Sequence, residues 1–150
     1  DMCRDAGAGL TRLQKAFPDR FLPCFVPPWN RIAPDLIGSL ATCGFSGLST
    51  FGARRSPHAA PGLRCVNTHS DVIDWRGTRT FVGSDAVAAS LSAHLEACRA
   101  GRADPEEPSG LLTHHLVMVE EDWRALEALV LVLKAHEAVS LVAPQTAFCL

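Results

Sequence analysis

The sequence predicts an α/β protein in which parallel strands alternate with helices. Three observations carry that reading. Short apolar runs and segments of helical period alternate along the 150 residues. The links between them are short, as expected for parallel strands joined by right-handed crossovers. The apolar runs are continuous rather than alternating in polarity, the pattern of strands covered on both faces. A doubly wound sheet and part of a β/α barrel both satisfy these observations. A full barrel needs about 250 residues, so this chain would supply roughly half of one.

Arg4 to Phe17 places Ala8, Leu10, Leu13, Ala16 and Phe17 at helical spacing. Phe21 to Val26 is a short apolar run stopped by Pro27-Pro28, read as a buried strand feeding a loop. Pro34 opens a helix through Leu36, Ile37 and Leu40 that ends near Gly44. Phe45 to Thr50 is a second strand, Ala53 to Gly62 a loop, and Leu63 to Val66 a third strand. Ser84 is the expected N-cap of a helix ending near Gly101, with Val87, Leu91, Leu95 and Cys98 on one face. Arg102 to Ser109 reads as a polar loop and Gly110 to Thr113 as a fourth strand. Glu120 to Ala135 is a helix that starts acidic and ends with Lys134 and His136 beyond it, as the helix dipole favours. Val139 to Val142 is expected to be a fifth strand and Thr146 to Leu150 a tail.

Composition narrows the function. The chain is 47% hydrophobic and 20% charged, with a net charge of −2. It offers no basic, aromatic-interleaved surface for nucleic acid and no electrostatic attraction to an anionic membrane. Its most apolar run, Ala128 to Leu133, is far short of the ~20 residues of a membrane span. The six cysteines are at least 19 positions apart, so there is no CxxC or zinc-knuckle spacing. Buried thiols in a reducing compartment, the cytoplasm, are the expectation.

Chemistry in parallel α/β proteins gathers at the carboxyl ends of strands. Four strands here end in polar or aromatic residues: Pro27-Pro28-Trp29-Asn30-Arg31, Ser49-Thr50, Asn67 through Trp75, and Leu112-Thr113-His114-His115. One cleft would then hold a tryptophan, an arginine, Asp71, Asp74 and up to three histidines. A strand-end histidine suits general acid catalysis, and a carboxylate can hold it in place. Each group also has a plainer role. Asp71 and Asp74 could cap a turn, Trp29 and Trp75 could be rim aromatics, and His114 and His115 could be satisfied edge residues. The chain has no GxSxG elbow, no HExxH and no glycine-rich phosphate loop.

At these residues the chain resembles the later part of a NodB-homology domain, as in carbohydrate esterase family four and its divergent bacterial polysaccharide deacetylase relatives. Such domains carry five short motifs in order on a distorted β/α barrel. Val26-Pro27-Pro28-Trp29-Asn30-Arg31 resembles the third, an Arg/Pro/aromatic turn. Asp71-Val72-Ile73-Asp74-Trp75 resembles the fourth, of Asp-x-x-Asp-Trp type, and Leu112-Thr113-His114 the fifth, a Leu-x-His strand end. By the strand pattern the resemblance runs from about Phe21 to Leu150. It implies that His114 protonates the leaving amine, that Asp71 or Asp74 orients His114 or an arginine, and that Leu112 lines the acetyl pocket. Trp29, Asn30 and Trp75 would line the sugar groove, and Arg31 would stand in for the third-motif arginine.

The departures are as informative. The first motif, with a base aspartate and a metal-binding aspartate, and the second, with two histidines about one helical turn apart, precede this region in such domains. Residues 1–20 contain Asp1, Asp5 and Asp19 but no histidine. Val26 stands where the third-motif arginine normally precedes the prolines, and His115 follows His114 where an aspartate is usual. The resemblance therefore implies a single partial domain over residues 1–150, the later half of a deacetylase of acetylated carbohydrate. The full domain would use a divalent, zinc-type metal. This chain is expected to bind none, to be inactive alone, and to self-associate through open sheet edges. Two alternatives stand beside it: a compact metallohydrolase using His69, His114, His115 and Asp71 as ligands, and a non-catalytic carbohydrate-binding or interaction domain.

Overall fold

The computed structural model describes residues 2–149. It is a mixed α/β structure, with helices and short, mostly parallel strands. The chain divides into two compact units. One comprises the residues up to Asn67 together with the segment from Ala143 onward, and the other runs from Thr68 to Val142.

The first unit contains helix α1 (Met2–Ala16), strand β1 (Cys24–Phe25), helix α2 (Pro34–Leu40), strands β2 (Gly47–Leu48), β3 (His58–Ala60) and β4 (Leu63–Cys65), and the short helix α5 (Pro144–Phe148). Its sheet has the order β1-β2-β4-β3. The first three strands are parallel, and β3 runs antiparallel to β4. Leu40, Phe45, Leu48 and Leu63 form its core, with Leu10 of α1 and Ile37 of α2 packed against it. Gly44, at φ +96°, turns the chain out of α2 into β2, a conformation that suits glycine. Gly47 is there for a different reason: a Cβ would meet the Phe148 ring 2.8 Å away.

The second unit contains β5 (Ser70–Asp71), α3 (Ser84–Arg99), β6 (Leu111–Leu112) and α4 (Glu120–Ala135). Strands β5 and β6 are parallel, with Ser70 opposite Leu111 and Asp71 opposite Leu112. Val72, Ile73, Val87, Met118 and Leu126 form its core, and Trp123 and Leu129 of α4 pack against it. The acidic start of α4 is capped locally, since the Val119 amide donates to Asp122 Oδ2 at 3.0 Å.

Several expectations are corrected. The segment read as a loop over 53–62 contains β3, because Gly62 at φ +73° reverses the chain into a hairpin with β4. Val139 to Val142 forms no strand. Its apolar run finds no sheet partner among the described residues, and Leu141 is 60% exposed. The expected tail is helical at Pro144–Phe148, started by the proline, and Leu150 lies outside the described residues. Gly83, not Ser84, occupies the N-cap of α3, and the Ser84 hydroxyl donates instead to the Ala125 carbonyl at 3.2 Å. The inward face of α3 carries His94 in place of Leu95, which is exposed. Cys3 and Cys43 form a disulfide. That pairing ties α1 to the end of α2 and removes the cysteine argument for a reducing compartment. Among the described residues no helix is long and apolar enough to cross a membrane.

Candidate active site

Parallel pairing of β5 with β6 sets the segment from Asp71 to Trp75 beside that from Leu112 to His114. Asp71 lies opposite Leu112, and the Val72 amide donates to the Leu112 carbonyl at 3.2 Å. Two residues beyond Leu112, His114 Nε2 meets Asp71 Oδ1 at 2.9 Å. The same oxygen accepts the Ile73 amide at 3.0 Å, while Oδ2 accepts the Trp75 indole N–H at 2.9 Å. The Trp75 and His114 rings meet edge to face, centroids 4.8 Å apart. Asp71 therefore holds both neighbours with one carboxylate. The pair remains wet: its side chains are 25% exposed for His114 and 22% for Asp71. Trp75 is more exposed, offering an apolar ring next to a titratable imidazole.

Asp74 is engaged elsewhere. Its carboxylate accepts the amides of Arg76, Gly77 and Thr78 at 3.2, 2.9 and 3.2 Å and caps the turn that follows Trp75. A Cβ on Gly77 would collide with that carboxylate, so a larger residue there would have to displace it. Leu112 is half-buried, and His115 is exposed.

Trp29, Asn30 and Arg31 belong to the first unit. Pro27 and Pro28 end β1 and lead into one turn of 3-10 helix over Pro28–Asn30. Trp29 and Asn30 both adopt positive φ, 59° and 53°. Asparagine tolerates this region, but a tryptophan in it is uncommon and strained. Trp29 is 89% exposed, and Arg31 is also exposed. The Pro27–Arg31 segment thus presents its aromatic outward.

A second cluster in the Thr68–Val142 unit joins His69 to two residues that sequence reasoning passed over. His69, His94 and Glu107 are all buried, with ligand-type atoms within 4.8 Å of one another. The His69 and His94 rings stack at 3.6 Å. Glu107 Oε2 lies 3.3 Å from His69 Nε2, with side chains 0% and 3% exposed. His94 had a legible signal, since it completes the α3 face Val87, Leu91, Cys98 at helical spacing. Glu107 had none, because it sits between prolines in a polar stretch.

Comparison with protein-family models, with curated proteins and with solved structures returns no match.

Proposed function

We propose that this chain is the later half of a carbohydrate deacetylase domain of the polysaccharide-deacetylase type, its parallel strands belonging to a distorted β/α barrel. The observation that carries the reading is the Asp71–His114–Trp75 arrangement at the ends of two paired parallel strands. His114 Nε2–H donates to the Asp71 carboxylate, which leaves Nδ1 as the position that takes up and gives away a proton. In its protonated form the ring can give a proton to a departing amine from Nδ1. Trp75 holds the other carboxylate oxygen and offers its ring to a sugar face. Leu112 supplies the acetyl contact in this reading.

In such deacetylases a divalent metal activates water and polarises the acyl carbonyl. The residues around His114 do not fit that ion. A catalytic zinc takes about three protein ligands, whereas this dyad offers one imidazole and a carboxylate whose two oxygens are already engaged. The metallohydrolase alternative needs His69, His114 and His115 together. Instead His69 packs with His94 and Glu107, His114 with Asp71 and Trp75, and His115 is exposed.

The test has two arms. The first titrates a chitin-type N-acetylglucosamine oligomer into the chain while following the Trp75 indole and His114 ring resonances. Both should move, and the Trp75→Ala variant should lose the response. The second measures acetate release with and without zinc or cobalt. The chain alone should release none, because His114 as general acid supplies only ~10²–10⁴-fold. Resonances unmoved by the sugar, or metal-dependent turnover abolished by His114→Ala, would overturn the reading. The coding sequence ahead of Asp1 gives an independent check: an Asp-Asp strand end followed by HxxxH supports it.

A further inference from the structure

We infer that His69 is a positioning residue whose ring sets the register of β5 on β6 and thereby brings Asp71 against His114. The inference rests on the dyad proposed above for its purpose, but not for its geometry. Two paired residues per strand are too few to fix a register, and a slip of one residue would turn Asp71 to the other face. The structure supplies the missing rungs through His69 and Gly110. The His69 and Ser70 amides both donate to the Gly110 carbonyl, at 2.7 and 3.1 Å. In return the Gly110 amide donates to His69 Nδ1 at 3.1 Å, so a side chain completes the ladder from the strand's own flank.

The ring can do this only in one tautomer. Accepting an N–H requires the Nδ1 lone pair, which puts the proton of the neutral ring on Nε2, facing the buried Glu107 carboxylate. Stacking on His94 fixes the ring plane, and His94 is itself held by Ser109 Oγ at 2.8 Å and lies 3.7 Å from Cys98 Sγ. The Ser90 hydroxyl donates to the His69 carbonyl at 3.3 Å and anchors the backbone to α3.

The same three residues have the composition of a histidine-carboxylate metal site. Two features speak for the hydrogen-bonded arrangement. Ligation through His69 Nε2 needs the lone pair where the Gly110 contact places a proton. The two ring planes are only 24° apart, so their in-plane lone pairs do not converge on one point.

The test compares two amides in place of the ring. In His69→Asn the side-chain oxygen takes the place of Nδ1 and can still accept the Gly110 amide. In His69→Gln the amide reaches toward the Nε2 position and leaves Gly110 unserved. Both lose the imidazole, so a merely structural role for the ring predicts equal effects. The readouts are the ¹⁵N shifts of the His114 ring, which report its Nε2–H tautomer, and the contact between the Trp75 and His114 ring protons. His69→Asn should keep both at wild-type values. His69→Gln should shift His114 toward a mixed tautomer and weaken the ring contact, while the Val87 and Leu126 resonances stay unchanged. Equal behaviour of the two variants would overturn the inference. So would one equivalent of zinc in the purified chain that is lost in His94→Ala. No sugar and no turnover enter these readouts, so failure of the deacetylase reading and failure of this one remain distinguishable.

Discussion

Two histidine–carboxylate pairs lie within the Thr68–Val142 unit, and they differ in their access to water. His114–Asp71 sits at 2.9 Å with about a quarter of each side chain exposed. His69–Glu107 sits at 3.3 Å with essentially no exposure. A wet pair can exchange a proton with a ligand and contributes little to stability. A dry pair has nowhere to send its proton, so its value is geometric, and breaking it leaves a buried polar group without its partner. A histidine beside a carboxylate is therefore open to solvent in one place and sealed in the core in the other.

Removing one carboxylate from each pair tests that contrast most directly. Glu107→Ala removes the carboxylate beside a buried imidazole and opens a cavity, and should destabilise the chain by about 3 kcal/mol. Asp71→Ala removes a part-exposed partner with its Ile73 and Trp75 hydrogen bonds and should cost about 1–2 kcal/mol. Urea unfolding followed by circular dichroism measures both. Equal losses would mean that the buried pair is solvated in the folded chain, and would erase the distinction.

A smaller effect separates the two aspartates of the Asp-x-x-Asp-Trp segment. Asp74 serves three backbone amides of its turn, whereas Asp71 serves a histidine, an indole and the Ile73 amide. Asp74→Ala, or Gly77→Ala, which forces a methyl against the Asp74 carboxylate, should destabilise by about 1–2 kcal/mol. Neither should move the His114 ring resonances. A shift of His114 in Asp74→Ala as large as in Asp71→Asn would assign Asp74 to the dyad.

The wet pair was legible in the sequence and the dry one was not, for physical reasons. Asp71, Trp75 and His114 follow strand-forming runs, and parallel pairing brings successive strand ends together, so their neighbourhood follows from topology. The acidic start and apolar period of Glu120–Ala135 mark that helix because its information is local. Glu107 carries no local signal, since its burial depends on the stacking of His69 on His94, residues 25 positions apart. The apolar period of α3 fits Leu95 and His94 almost equally well, and tertiary packing chooses His94. Val139 to Val142 fails in the opposite sense: its residues favour a strand, but a strand needs an edge to join. The Cys3–Cys43 disulfide was invisible because spacing alone does not determine connectivity.

The smallest expected effect extends the wet and dry contrast to thiols. Burial, with Cys65 nearby as a second influence, pushes the Cys24 thiol up from 9.0 to about 12. Cys149 is exposed. At pH 8 a maleimide should modify Cys149 first and leave Cys24 unmodified until the chain is unfolded, because the thiolate is the reacting species. The shift also gives the pH dependence a sign. Below pH 9 both folded and unfolded chains keep the Cys24 proton, so it contributes no slope. Between pH 9 and about 12 the unfolded chain releases a proton that the folded chain retains, and stability falls as pH rises through that window. Other groups titrate there as well, so the comparison needs Cys24→Ala beside the parent chain. The difference in urea midpoint between the two should be constant from pH 6 to 9 and should shrink above it, as the parent alone loses stability through Cys24. A difference that stays constant to pH 11, or maleimide capture of Cys24 as fast as of Cys149, would place that strand residue in water and not against the core.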